Sequence, residues 1–100
     1  MGQLDVARVQ VATLRDAARE YDSIADAVAA ARSHLAGLTF DGAVAGRSHG
    51  ARGDTLRARL GQIDDAMRQW STASAGIAAA LRLSADRYTD ADARSARRLG

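Results

Sequence analysis

Residues 56–91 read LRARLGQIDDAMRQWSTASAGIAAALRLSADRYTDA, and the spacing of their apolar side chains decides the fold. From Leu56 onward, apolar or small residues recur at alternating intervals of four and three, through Trp70 and Tyr88. A mean period of 3.5 residues places them along one side of an α-helix. We therefore predict a long amphipathic helix over about residues 54–97, with Asp54 as its N-cap.

The same spacing occurs earlier in the chain, from Leu14 to Leu38, and predicts a first helix over about residues 11–37. Residues 37–53 contain five glycines, which favour turns, and we predict a glycine-rich loop over residues 38–53. The residues before position 11 are rich in valine, and we expect them to be extended or frayed. The predicted fold is therefore all-α.

We expect residues 1–100 to form a single domain, an antiparallel two-helix hairpin. At 1.5 Å per residue the second predicted helix is longer than the first, so its C-terminal end is expected to project beyond the first helix. The core of such a hairpin is thin, because the chain contains 24 alanines and only four aromatic residues. Alanine contributes little burial energy, so a lone hairpin of this composition is marginal.

The small burial energy of a lone hairpin favours pairing with another hairpin into a four-helix bundle, as a homodimer or a heterodimer. The partner is either a second copy of the chain or a different helical protein. The large residues of the two apolar stripes are the predicted partner interface. They are Leu56, Leu60, Ile63, Met67, Trp70, Ile77, Leu81, Leu14, Tyr21, Ile24, Val28 and Leu35.

Charge and residue usage exclude several classes of function. All 14 basic residues are arginine, but 12 acidic residues are interleaved with them, so the formal net charge is only +2. We therefore expect no nucleic-acid binding. Without cysteine there are no disulfides and no thiol chemistry.

No residue pattern predicts catalysis or cofactor binding. His34 and His49 are the only histidines, and they show no zinc-ligand spacing. The neighbouring carboxylates Asp64 and Asp65 point to different sides of a helix, and no Ser-His-Asp order suggests a catalytic triad. We expect no catalytic residue, no metal, no cofactor and no enzymatic activity.

The N-terminal residues do not resemble a cleavable signal peptide, since Asp5 and Arg8 interrupt them. The longest uncharged stretch, residues 71–81, is about half of a membrane span, so stable membrane insertion is not expected. Near the other end, Tyr88 and Asp92 are four residues apart and would lie together on a helix. That pair is either a recognition patch or a final core tyrosine beside a solvated acid.

The length, the helix-turn-helix pattern and this Tyr-x-x-x-Asp sequence together resemble the WXG superfamily of type VII (ESX) secretion substrates. The EspC-like branch of ESX secretion-associated proteins is the more similar one. Its Val-x-x-x-x-Leu helix start is matched by Val9 and Leu14, and residues 81–88, LRLSADRY, resemble the stretch before its secretion signal. The resemblance covers nearly the whole chain and implies that Tyr88 and Asp92 are the secretion signal.

Two features depart from the superfamily pattern. The loop has no Trp-x-Gly, because Trp70 lies well inside the second helix, and this argues against the branch named for that motif. The usual Asp-Pro helix start is replaced by Gln10 and Val11.

The resemblance implies a protein that is made in the cytoplasm and then secreted or displayed at the cell surface, without a cleaved leader. Its partners would be a second helical hairpin, or the leader of an effector, and the type VII secretion ATPase. An alternative from another class remains: a cytosolic chaperone or adaptor that pairs with the helical leader of a larger toxin or effector, with Tyr88 as a core residue.

Overall fold

The computed structural model describes the backbone of residues 2–45 and 50–99, and the side chains of residues 2, 5–38 and 50–98. Two helices account for almost all of this backbone: α1 (Gly2–Ala45) and α2 (Ala51–Leu99). No strand occurs in the described ranges. The prediction of an all-α helical hairpin is confirmed.

Helix α1 begins earlier than the pattern predicted. Residues 2–10, expected to be extended or frayed, form its first turns. Valine lowers helix stability only by tenths of a kcal/mol per residue, and no proline interrupts the segment. Asp5 in the first turn is favourable beside the positive end of the helix dipole. Extending an existing helix is also easier than nucleating one, so the segment continues α1.

The predicted loop over 38–53 is largely helical. Helix α1 continues to Ala45, α2 begins at Ala51, and residues 46–49, with His49 among them, lie outside the described part of the chain. Each glycine within a helix costs only about 1 kcal/mol, which neighbouring alanines and leucines offset. Gly50, just before α2, has a φ of 53°, a left-handed conformation that glycine adopts without strain.

The prediction that Asp54 is the N-cap of α2 is wrong. Asp54 lies in the first turn of the helix. Its backbone N–H donates to the carbonyl of Gly50 at 3.1 Å, so the helix has already begun before it. Its carboxylate pairs with Arg57 at 3.3 Å. From this position the negative charge of Asp54 still interacts favourably with the positive end of the helix dipole.

The chain divides into two compact units. Unit 1 pairs α1 up to Ser23 with α2 from Ser74 onward, and unit 2 comprises Ile24–Ala73. In each unit, one segment of α1 packs against one segment of α2.

In unit 1 the side chains between the helices are very small. Ala18, Ala78 and Ala85 are completely buried, and Ser74 is nearly so. Two ion pairs join the helices beside this contact. They are Arg15–Asp86, at 3.1 Å, and Arg82–Asp22.

Among the side chains of unit 2 that the structure describes, those of Ala25 and Val28 are buried. The hydroxyl of Ser71 donates to the carbonyl of Ala25 at 3.2 Å, which ties the two segments together. Arg32 donates to both carboxylate oxygens of Asp64, from Nε at 2.9 Å and from Nη2 at 3.4 Å. This two-pronged geometry fixes the relative position of the two helices more strictly than a single contact would.

Neither apolar stripe is buried along its whole length. No large side chain among the described residues is fully buried, whereas several members of the stripes are about half exposed. In α2 the buried positions are Ser74, Ala78 and Ala85, so the side that meets α1 is displaced toward the small residues. Small side chains let two helix backbones approach closely, and the bulkier members of the stripe are then left at the edge of the contact.

Candidate functional site

Tyr88, the aromatic residue of the predicted secretion signal, lies on α2 in unit 1 and is about half exposed. It lines a groove with four residues of α1: Val9, Gln10, Thr13 and Leu14. The expectation that this end of the second helix projects uncovered is therefore wrong. Helix α1 reaches back to Gly2 and covers it.

Asp92, one turn further along α2, is half-buried and lines a different groove. That groove contains the guanidinium-bearing residues Arg8 and Arg15 of α1, together with Val11. Arg15 is already paired with Asp86. Tyr88 and Asp92 are thus neighbours along the helix but face two grooves, each with its own residues of α1.

The resulting surface offers an aromatic ring bordered by aliphatic side chains, and a carboxylate bordered by two cations. Asp90 lies between the two residues in sequence, is exposed, and lines neither groove. The sequence pattern singled out Tyr88 and Asp92, but it did not indicate that Arg8 and Arg15 lie in the same groove as Asp92. Arg8 belongs to the segment that was expected to be extended, so its place in the groove of Asp92 depends on residues 2–10 being part of α1.

The predicted partner interface separates into two groups in unit 2. Val28 is buried, and Leu35, Leu60 and Met67 are half-buried. The second group is exposed: Leu56 at 53%, Ile63 at 49%, Trp70 at 58% and Ile24 at 37%. Leu38, the last residue of the first stripe, joins this group at 65%.

In unit 1, three of the predicted interface residues are half-buried against the opposite helix. These are Leu14, Tyr21 and Leu81. Ile77 is the exposed member in this unit, at 42%. The sequence pattern could not distinguish the two groups, because both follow the same period.

Unit 2 also contains a charged groove on one side of the helix pair. It is lined by small residues such as Gly61, by the larger apolar residues Leu35 and Leu60, and by the charged residues Arg32 and Asp64. The hydrogen bond from Arg32 lowers the pKa of the Asp64 carboxyl from its ordinary value of 3.8 and raises the pKa of the Arg32 guanidinium. No sequence signal pointed to this pair, since the two residues are distant in the chain.

The described ranges contain no cluster of three or more His, Cys, Asp or Glu side chains that could hold a metal ion. Over the same ranges, neither helix contains a segment both apolar and long enough to cross a membrane. His34 is exposed on α1.

A protein-family model matches almost the entire chain. The family is described as "Excreted virulence factor EspC, type VII ESX diderm", and residues 3–100 match it. Curated proteins and solved structures gave no significant match. Because the family match spans both helices and includes Tyr88 and Asp92, the chain belongs to the EspC family of type VII (ESX) secretion-associated proteins.

Proposed function

We propose that this chain is a non-enzymatic helical hairpin that a type VII (ESX) secretion system exports. The observation that carries the proposal is the family match over residues 3–100. Export would start from the cytoplasm and deliver the chain to the medium or the cell surface. No cleaved leader is involved in this proposal, because the folded hairpin itself presents the recognition residues.

The proposed secretion signal is the pair Tyr88 and Asp92. The half-exposed ring of Tyr88 suits an apolar pocket on a receptor, and the Asp92 carboxylate suits an arginine there. Helical backbone holds the two side chains one turn apart, so little conformational entropy is lost when they bind. The receptor in this proposal is the ATPase of the secretion system.

The chain would act by binding another helical protein rather than by chemistry. Exposed side chains such as Leu56, Ile63 and Trp70 support this, since they give one helix an apolar side that its own hairpin does not cover. The proposed partner is a second helical hairpin, identical or different, or the leader of an effector.

Export is tested by producing the chain in a host that carries the matching type VII system and in an isogenic host that lacks the system's ATPase. Immunoblots of cell and medium fractions should show the chain in the medium of the first host only. A cytosolic protein without an export signal serves as the lysis control. Equal amounts of the chain in both media would contradict the proposal.

A second candidate function, a cytosolic adaptor for the helical leader of a toxin or effector, is favoured by the same exposed residues of α2. The adaptor stays in the cell and leaves Tyr88 without a receptor. Retention in the cytosol of a host with an active type VII system, together with co-purification of a larger helical protein, would favour it over export.

A further inference from the structure

The side chain of Tyr88 is shared by two grooves on the surface of unit 1. The first, here called the α1 groove, has a volume of about 290 Å³ and is the one that Tyr88 borders with residues of α1. The second, the α2 groove, has a volume of about 310 Å³ and is formed by α2 alone. Its lining residues are Ser84, Arg87, Tyr88 and Ala91.

The size of the two grooves indicates what kind of molecule fits them. Pockets that hold small molecules usually have volumes of about 300–1,000 Å³ and enclose most of the ligand. Both grooves lie at the lower end of this range and are open to solvent. They therefore suit a few side chains of a protein surface better than a free small molecule. The ring of Tyr88, at 48% exposure, is accessible to such a surface.

The α1 groove presents apolar surface from both helices. Val9 of α1 is 64% exposed, so most of its side chain gains nothing from the packing of the hairpin. The hydroxyl of Thr13 already donates to the carbonyl of Val9 at 2.8 Å, and this donor needs no acceptor from a partner. A partner that covers the α1 groove would therefore bury aliphatic and aromatic surface without leaving this hydroxyl unsatisfied.

The α2 groove adds a positive charge beside the ring. Arg87 is exposed, and within the part of the chain that the structure describes it has no ion pair. In contrast, Arg15 and Arg82 of the same unit pair with aspartates of the opposite helix. Arg87 can therefore bind a carboxylate of a partner without giving up an existing contact.

We propose that the receptor of the secretion signal recognises Tyr88 together with Val9 and Arg87, so that the recognition surface spans both helices. This inference rests on the proposed function and adds residues to its site. The receptor surface that fits carries apolar side chains for the two grooves and an acidic side chain for Arg87. Val9 lies beside Tyr88 only when α1 and α2 are paired, so the receptor binds the folded hairpin rather than the linear sequence of its C-terminal end.

The contribution of α1 is tested by Val9→Glu in the full chain, in a host with the matching type VII system. A charge in the α1 groove would be desolvated by the apolar side chains of the receptor, so the ratio of secreted to cell-associated protein should fall about 10-fold. Val6→Glu is the matched control. Val6 is also an exposed valine of α1, at 56%, but it lines neither groove, so this variant should be exported like the parent.

The contribution of Arg87 is tested in the same host by Arg87→Glu, which places like charges opposite each other and should also lower export about 10-fold. Arg94→Glu is the control, because Arg94 is exposed seven residues further along α2 and lines neither groove. It changes the net charge of the chain by the same amount and should leave export unchanged.

Circular dichroism and melting temperature check that all four variants fold, and Gln10→Glu, in the same groove, replaces Val9→Glu if that variant is unfolded. Parental export of folded Val9→Glu or folded Arg87→Glu would overturn the proposal, since the receptor would then read Tyr88 without that residue. Such a result leaves the export proposal intact, because the chain still reaches the medium. A parent chain that is not exported refutes the proposed function, and this inference with it.

Discussion

At the scale of single residues, the side chains that are completely buried in the described part of the chain are alanines, whereas several of the large apolar side chains are exposed. In unit 1 the contact between the helices is made by Ala18, Ala78 and Ala85, each fully buried. Alanine loses no side-chain entropy on burial and permits close backbone approach, so its value here is geometric rather than hydrophobic. The stability of the hairpin should therefore be sensitive to added volume at these positions.

Ala78→Leu should destabilise the chain by about 1–3 kcal/mol, because the larger side chain forces the two helices of unit 1 apart. Chemical unfolding followed by circular dichroism measures the change. Ala79→Leu is the matched control, since Ala79 is exposed and the same substitution there should change stability by less than about 0.5 kcal/mol. Equal effects at both positions would show that Ala78 is not between the helices.

The Arg32–Asp64 pair predicts a pH dependence in unit 2. The hydrogen bond from Arg32 lowers the pKa of Asp64 in the folded chain, so the ionised carboxylate favours folding. This contribution is fully present above the ordinary value of 3.8 and is lost as pH falls through the lower folded pKa. The raised pKa of Arg32 has no effect in the same range, because arginine is protonated throughout.

We therefore expect the melting temperature of Asp64→Asn to fall less between pH 7 and pH 3 than that of the parent. Differential scanning calorimetry at the two pH values measures it. Asp26→Asn is the control, because Asp26 is exposed in the same unit and no ion pair is described for it. The melting temperature of this variant should fall between pH 7 and pH 3 by as much as that of the parent. If Asp64→Asn and the parent lose stability equally, the pair does not contribute to folding in solution.

At the scale of the helices, the period of apolar residues predicted their number and type, but not where they begin and end. Local signals failed at both ends of the predicted loop: glycines suggested a break after residue 37, and Asp54 resembled a cap. A glycine within a helix, or the loss of a capping residue, changes the free energy of folding by only about 1 kcal/mol. This is less than the free energy gained by continuing a helix that already packs against another. Helix ends were therefore the least predictable feature.

The early start of α1 can be tested by Gln10→Pro. In a helix that spans Gly2–Ala45, proline at this position removes a backbone hydrogen bond and should unravel residues 2–9, with a loss of helical ellipticity. Gln10→Ala should retain the ellipticity of the parent. If the helix began at residue 11, proline just before it would be tolerated, and an unchanged spectrum would support that shorter helix.

At the scale of the whole molecule, the sequence predicted the all-α hairpin and the family, and left the arrangement of the site open. Tyr88 and Asp92 were predicted as a secretion signal from their spacing and from the family resemblance, and that role stays a prediction. Their surroundings could not be predicted, because Val9 and Arg8 approach them only through the pairing of the two helices. The split of the interface residues was equally hidden, since it depends on which side of α2 meets α1.

The central claim is that Tyr88 and Asp92 direct export rather than folding. Both are on the surface of unit 1, so Tyr88→Ala and Asp92→Ala should each keep the free energy of unfolding within about 1 kcal/mol of the parent. A variant that folds normally and is not exported would separate recognition from stability. Asp90→Ala, at the exposed position between them, is the control.

The most direct measurement is the ratio of secreted to cell-associated protein for these three variants in a host with the matching type VII system. The account predicts that Tyr88→Ala and Asp92→Ala accumulate in the cytosol as folded protein, while Asp90→Ala is exported like the parent. Export of both the Tyr88→Ala and Asp92→Ala variants at the parental level would contradict it and favour the cytosolic adaptor.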